Sequence, residues 1–208
     1  FTYTYDDMQV DSYEAGVKSM WLDNRLRFNM SVFYEDLSDM QTQVNAVDPG
    51  SQGGYSTVVQ NAASATIKGL ELETIVMLVP GLDITAGLRW YDYAEHKAQL
   101  VDGAFAGNPA FPTGVLSLPG ATDASGVAPR LIVSYDLPRA GMLSAQASKG
   151  FRLGGINDQL NVPLCTAEDL ATFGGQDAWK DETAWNYEIG SKSRIMGGRG
   201  SFNLSAFY

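Results

Sequence analysis

The sequence predicts an all-β fold: part of the wall of an antiparallel, up-and-down transmembrane β-barrel, with about eight or nine strands. Three observations lead to this fold class. Apolar and polar residues alternate with a period of two along much of the chain. Very short turns are interspersed with long polar segments. Finally, most acidic residues lie in those long segments.

Five stretches show the alternation most clearly, and each predicts a strand of about 9–12 residues, the length of a tilted transmembrane strand. In each stretch the mostly apolar residues lie on one face of the strand. The five sets are Leu26, Phe28, Met30, Val32 and Tyr34; Leu70, Leu72, Thr74, Val76 and Leu78; Leu82, Ile84, Ala86, Leu88 and Trp90; Leu131, Val133, Tyr135 and Leu137; and Tyr187 with Ile189. Phe33 is an exception, because it falls on the polar side of its strand. We expect Leu70, Leu72, Val76, Ile84 and Leu88 to face lipid, and Glu71, Glu73, Asp83 and Arg89 to face the lumen.

The connections between strands are of two kinds. Four short turns are predicted at residues 22–24, 80–81, 138–141 and 196–198, where Asp-Asn, Pro-Gly or Gly-Gly pairs favour tight turns. Three long segments, at about 36–62, 94–127 and 153–183, are predicted to be loops. In an outer-membrane barrel the short turns face the periplasm and the long loops face outward.

Charge follows the same division. Segments 35–61, 92–129 and 153–183 hold 14 of the 24 acidic residues and only 2 of the 14 basic ones. The chain as a whole carries a net charge of −10, which argues against a nucleic-acid partner. With one Cys and one His, a zinc module and a disulfide scaffold are excluded. We expect these 208 residues to be a fragment of a longer protein.

One hairpin is used twice. Residues 13–34 match residues 187–208 at a fixed offset of 174, with 11 of 22 positions identical. Both copies read Tyr-Glu-x-Gly-x-Lys-Ser, then an Arg, then Phe-Asn-x-Ser-x-Phe-Tyr. This period is too long for a solenoid repeat and favours reuse of one hairpin within a large barrel.

These phrases resemble the β-barrel of TonB-dependent outer-membrane receptors. Further matching phrases lie at residues 68–73, 128–130 and 148–155. The resemblance implies a barrel of 22 strands in the outer membrane of a Gram-negative bacterium, with a plug domain inside it, and uptake powered by the TonB complex through the plug. It implies a cargo such as a ferric siderophore, with vitamin B12, haem or carbohydrate as alternatives. Residues 1–208 would then be a barrel portion without the plug domain.

Two other functions remain open. A passive porin-like outer-membrane barrel would need only strands, since eight can close a barrel. A soluble all-β binding module or enzyme domain would instead bury its apolar face within the protein. We expect no enzyme activity, because no catalytic, cofactor-binding or metal-binding residues stand out, and the ligand contacts stay unassigned.

Four features of the sequence are candidate sites. Glu71 and Glu73 lie on one strand face, about 7 Å apart, a spacing open to acid–base catalysis, but a lumen-facing polar strip explains them more simply. Residues 151–155 could mimic a phosphate-binding loop, but they lack its strand–loop–helix setting. His96 could contact iron or haem, although a lone His is usually a plain surface residue. Cys165 either stays free or pairs with a Cys outside these residues.

Seven aromatic residues lie near predicted strand ends, where they could form the interfacial girdles of a barrel. They are Trp21, Tyr34, Trp90, Tyr91, Tyr93, Trp185 and Tyr187.

Overall fold

A computed structural model of the protein describes residues 4–47, 50, 55–102, 115–138, 141–157, 165–176 and 178–208. The elements are β1 Gln9–Trp21, β2 Leu26–Val47, β3 Tyr55–Val79, β4 Leu82–Asp102, β5 Val115–Leu137, β6 Gly141–Arg152, β7 Gly155–Ile156, α1 Ala167–Phe173, β8 Ala178–Trp179, β9 Glu182–Ile195, a 3-10 turn Met196–Gly198, and β10 Gly200–Phe207. None of the helices in the described residues is long and apolar enough to cross a membrane.

Eight strands form one antiparallel sheet in the order β1-β2-β3-β4-β5-β6-β9-β10. Strands that follow one another in the sequence lie side by side, except that β7 and β8 form a small separate hairpin inside the connection from β6 to β9. The predicted all-β, up-and-down architecture and the strand number are therefore confirmed. The sheet is open, since β1 and β10 are its edges.

The strands are longer than the alternation predicts. β2, β3, β4 and β5 contain 22, 25, 21 and 23 residues. The predicted loops at 36–62 and 94–127 are therefore mostly wrong, because most of both segments continues the strands in paired register. Beyond the apolar band a strand can meet water on both faces, so backbone pairing continues while the alternation fades. The tips of these hairpins, residues 48–49, 51–54 and 103–114, lie outside the described residues.

The short turns lie where the sequence predicts them. Gly81, between β3 and β4, has a φ of 85°, which glycine adopts without steric cost. Residues 139–140 of the turn between β5 and β6 lie outside the described residues. All four short connections lie at the same end of the sheet, because successive strands are antiparallel neighbours.

The repeated hairpin is also a structural repeat. Leu22, Asp23 and Asn24 have φ of 54°, 53° and 67°, and the matching residues 196–198 have φ of 53°, 66° and 89°. Every cross-strand partner in β9–β10 is the corresponding partner in β1–β2 shifted by 174 positions. One turn geometry therefore sets the register of both hairpins.

Little of the described part of the chain is buried. Its buried hydrophobic residues are Ala65, Tyr91 and Tyr93, near the middles of β3 and β4, and Ile156 in the connection between β6 and β9. Within the residues that the structure describes, no second layer covers the apolar face of the large sheet, which is the reverse of a soluble β-sandwich.

Candidate functional site

The register separates the sheet into an apolar face and a polar face. Leu70 lies opposite Trp90 and Leu72 opposite Leu88, whereas Glu71 lies opposite Arg89. This confirms the predicted division into two faces. Large apolar side chains remain exposed along the first face, including Val17, Val32, Leu88, Val127, Leu131, Leu143 and Ile189.

Five of the seven aromatic residues considered for the girdles lie exposed on the apolar face: Trp21, Tyr34, Trp90, Trp185 and Tyr187. Trp185 and Tyr187 stack with ring centroids 6.0 Å apart. The girdle hypothesis is wrong for Tyr91 and Tyr93. They lie one and three residues after Trp90 on β4 and therefore on the opposite, polar face, where their relative exposures are 2% and 8%.

Ion pairs line the polar face. Arg89 lies 3.2 Å from Glu71, and Arg130 lies 3.0 Å from Glu73. The Asn29 side-chain amide donates a hydrogen bond of 3.1 Å to the other carboxylate oxygen of Glu73. These groups border a concave region of about 840 Å³.

The carboxylates of Glu71 and Glu73 are thus each occupied by an arginine. All four charged side chains of these pairs are 36–48% exposed, so water weakens each pair to about 0–1 kcal/mol. Such an arrangement suits a hydrated wall better than an acid–base pair. The geometry favours the simpler interpretation of this motif, a polar strip along the inside of a barrel.

An aromatic cluster lies on the same face, nearer the end with the long connections. The Arg89 guanidinium lies 5.0 Å from the ring of Phe33 and 5.9 Å from the ring of Phe151, both within cation–π range. Phe151 stacks on Tyr91 with centroids 3.8 Å apart. No pattern in the sequence predicts this cluster, and its one local sign is Phe33, which breaks the alternation of β2.

Glycine makes room for these rings. Gly69 lies opposite both Phe33 and Tyr91 in the sheet. A Cβ on Gly69 would lie 2.5 Å from Phe33 Cζ, and one on Gly126 would lie 2.5 Å from the Tyr91 hydroxyl oxygen. The row therefore alternates large rings with glycines, which lets the rings lie flat along the wall.

The connection between β6 and β9 folds over this cluster. At its base, Arg152 forms an ion pair of 2.9 Å with Glu182. The Tyr91 hydroxyl donates a hydrogen bond of 3.3 Å to Asp181. Farther along, a Cβ on Gly120 would lie 2.6 Å from Ile156, so this buried isoleucine packs against the sheet. The connection is thus attached to the polar side of β4 and β5.

The possible phosphate-binding loop at 151–155 has a different role. β6 ends at Arg152, and Gly154 and Gly155 meet β8 so closely that a Cβ on Gly154 would lie 2.1 Å from the Trp179 carbonyl oxygen. These glycines allow the close approach of two chain segments. The simpler interpretation, a strand entering a long connection, is the one the structure supports.

The other two candidate residues, His96 and Cys165, do not lie in a common site. His96 is exposed, opposite Ser64 and Ala121. Cys165 is half-buried, just before α1, and has no disulfide partner in the described part of the chain. No group of three or more His, Cys, Asp or Glu side chains within the described ranges could hold a metal ion.

The short helix α1 carries a capping box. The Thr166 side chain accepts a hydrogen bond from the backbone N–H of Asp169, and the Asp169 carboxylate accepts hydrogen bonds from the hydroxyl and N–H of Thr166. These hydrogen bonds hold the pKa of Asp169 below its ordinary value, the hydroxyl bond contributing most.

Comparison with known proteins agrees with this geometry. The family model described as "TonB dependent receptor-like, beta-barrel" matches residues 3–78 and 75–208. The ferric yersiniabactin uptake receptor FyuA from Yersinia pestis is structurally similar, with a TM-score of 0.64 and 14% identity, over 96% of this chain and 28% of that one. The ferric-catecholate import receptor Fiu from K12 E. coli, in its closed form, gives a TM-score of 0.65 and 12% identity, over 96% and 31% of the two chains.

Proposed function

Because this chain belongs to the TonB-dependent receptor β-barrel family, we propose that it forms part of the wall of an outer-membrane receptor that imports a ferric siderophore or a similar scarce nutrient, powered through TonB. That family consists of transport receptors of the Gram-negative outer membrane. The chain spans about 30% of the two solved receptors it resembles, so transport is proposed for the longer protein of which this wall is a part.

The observation that carries the proposal is the separation of the two faces on an uncovered sheet. In lipid, backbone polar groups must be paired and the outward side chains must be apolar. The meander pairs the strands between its two edge strands on both sides, and its apolar face is exposed. The opposite face, with its paired charges and its 840 Å³ concavity, suits a hydrated interior in contact with a plug and a passing cargo.

The direction of the wall follows from the connections. We propose that the four short turns face the periplasm and that the connection from β6 to β9 forms part of the outer mouth. In a Cys165→Ser background, Thr172→Cys on α1 should react with an impermeant thiol reagent on intact cells. Asn24→Cys, in a short turn, should not. The reverse labelling pattern would contradict this orientation.

Iron chemistry is the first cargo class to test, since FyuA and Fiu are receptors for ferric chelates. Cells producing the complete protein should accumulate radiolabelled iron from a siderophore under iron limitation, and deletion of TonB should abolish this uptake. TonB-independent permeation of small solutes would instead support the porin-like alternative.

Deleting residues 158–176 removes α1 and the segment before it, but keeps the ion pair between Arg152 and Glu182 at the base of the connection. We expect reduced uptake with normal amounts of folded barrel in the outer membrane. Unchanged uptake would place this connection outside the cargo path, without affecting the assignment of the wall.

A further inference from the structure

The seam where β5 and β6 pair ends earlier than either strand does. β5 pairs with β6 from Leu137 back to Arg130, which lies opposite Ser148. Beyond this point β5 continues along β4 as far as Val115, and β6 continues along β9 as far as Arg152. The two strands therefore separate and, in the described part of the chain, leave a fork in the wall.

Pro129 lies at the point where the strands separate. The Asp136 N–H donates a hydrogen bond of 2.7 Å to the Gly81 carbonyl oxygen, so the backbone polar groups of Asp136 point towards β4. These groups point to opposite sides in successive residues of a strand, so those of Pro129, seven positions earlier, point towards β6. Proline has no N–H and cannot donate to the carbonyl of Lys149, the next residue of β6. The same alternation places the missing N–H of Pro119 on this side of β5.

β6 turns inward beyond the fork. Phe151 alternates in phase with Ala147, which lies opposite Leu131 and Tyr187 on the apolar face. The Phe151 ring nevertheless stacks on Tyr91, on the polar face, with centroids 3.8 Å apart. β6 has therefore rotated about its own axis after leaving β5, as strands with fewer neighbours twist more strongly. The rotation carries the following connection onto the polar face.

We propose that Pro129 is a positioning residue. By ending the ladder between β5 and β6 it allows β6 to rotate, and the connection between β6 and β9 consequently lies against the inner face of the wall. Buried Ile156, packed against Gly120, marks that position. Pro119 keeps the free edge of β5 from pairing again, because it removes a donor from that edge. The inference goes beyond the proposed transport, since it concerns which part of the chain narrows the interior.

Cysteine pairs on either side of the end of the seam test the fork in the complete protein. If the ladder continued, Ala128 and Gly150 would lie directly opposite each other with Cα atoms about 4.5 Å apart, a separation that a disulfide spans. Because the strands separate, Ala128→Cys with Gly150→Cys should stay reduced when outer membranes are treated with a mild oxidant. The matched control, Ile132→Cys with Gln146→Cys, lies within the paired seam and should form its disulfide.

A second pair reports where the connection lies. A Cβ on Gly120 would be 3.9 Å from Cβ of Ile156, a distance suited to a disulfide, so Gly120→Cys with Ile156→Cys should cross-link. Pro129→Ala restores the N–H. That cross-link should then form roughly 2- to 10-fold more slowly, the factor that one new backbone hydrogen bond supplies, and the pair at 128 and 150 should begin to cross-link. Pro80→Ala, in a short turn, should change neither rate. All variants carry Cys165→Ser.

Three results would overturn the inference. A disulfide between positions 128 and 150 with Pro129 in place would show that the strands do not separate. Absence of the cross-link between positions 120 and 156 would show that the connection does not lie on the inner face. Unchanged rates for both pairs in Pro129→Ala would show that the proline does not position the connection. Cargo uptake enters none of these measurements, so the proposed transport keeps its own test.

Discussion

Neighbouring residues of one strand lie on opposite faces of the sheet, so a charged side chain should destabilise the protein at one of them and be tolerated at the other. In β5, Leu131 and Ile132 form a matched pair for measuring this difference. Leu131 lies on the apolar face, 48% exposed, opposite Ala86 on β4. Ile132 lies on the polar face, opposite Thr85 and Gln146. Both are aliphatic, and each can be replaced by arginine in the full-length protein.

The structure sets the expected size of the effect. Ala86 lies four residues from both Leu82 and Trp90, the ends of the apolar stretch on β4, so it is about 13 Å along the strand from each. Leu131 is therefore near the middle of the band, where a lipid-facing arginine costs about 2–4 kcal/mol. At about 1.4 kcal/mol per tenfold, this corresponds to a roughly 30- to 700-fold fall in the folding equilibrium constant. At Ile132 the guanidinium reaches the hydrated face, and we expect a cost of about 0–1 kcal/mol.

The assay is urea unfolding of the complete receptor in lipid vesicles, with the folded fraction read from the band shift of unheated samples in gel electrophoresis. Leu131→Arg should lower the unfolding midpoint strongly and Ile132→Arg only slightly. Equal losses for the two variants would refute the assignment of one face to lipid. A larger loss for Ile132→Arg would indicate that the faces are reversed.

Three further outcomes are expected. Gly69→Val should prevent normal assembly, because its side chain would overlap a ring and a backbone carbonyl, whereas Gly87→Ala, with no contact closer than 3.6 Å, should assemble normally in the same band-shift assay. Tyr91→Phe removes one hydrogen bond that attaches the connection between β6 and β9 to the sheet. Such a bond contributes about 0.5–1.5 kcal/mol, so limited proteolysis of that connection should become roughly 2- to 10-fold faster. An unchanged rate would contradict the attachment. Thr166→Ala should raise the pKa of Asp169 in an NMR titration; since the folded pKa is lowered, the capping interaction is fully present above the ordinary carboxyl range and is lost as the pH falls through the folded value.

Much of the fold could be predicted from sequence because the signals that define it are local. Alternation with a period of two placed the apolar band, as in the stretch from Leu82 to Trp90, and it separated Glu71 from Leu72 correctly. The residues of the short turns fixed where strands reverse. The repeat at an offset of 174 predicted two equivalent hairpins, and the shared register confirms them.

The prediction of strand length from alternation was wrong where both faces of a strand can contact water. From residue 36 on, β2 continues to Val47 without alternation, so the pattern predicted a loop although the backbone stays paired with β3. Hydrogen bonding between strands depends on the partner backbone and leaves little trace in the side chains of either strand alone. Strand length was therefore decided by pairing.

Only the tertiary structure could assemble the inner cluster. Phe33, Tyr91, Phe151 and Asp181 come from four separate parts of the chain and meet because the sheet order and the fold of one connection bring them together. Periodicity along a strand determines which face a side chain occupies. Which distant side chain it meets there depends on register across several strands, because each pairing sets the height of the next.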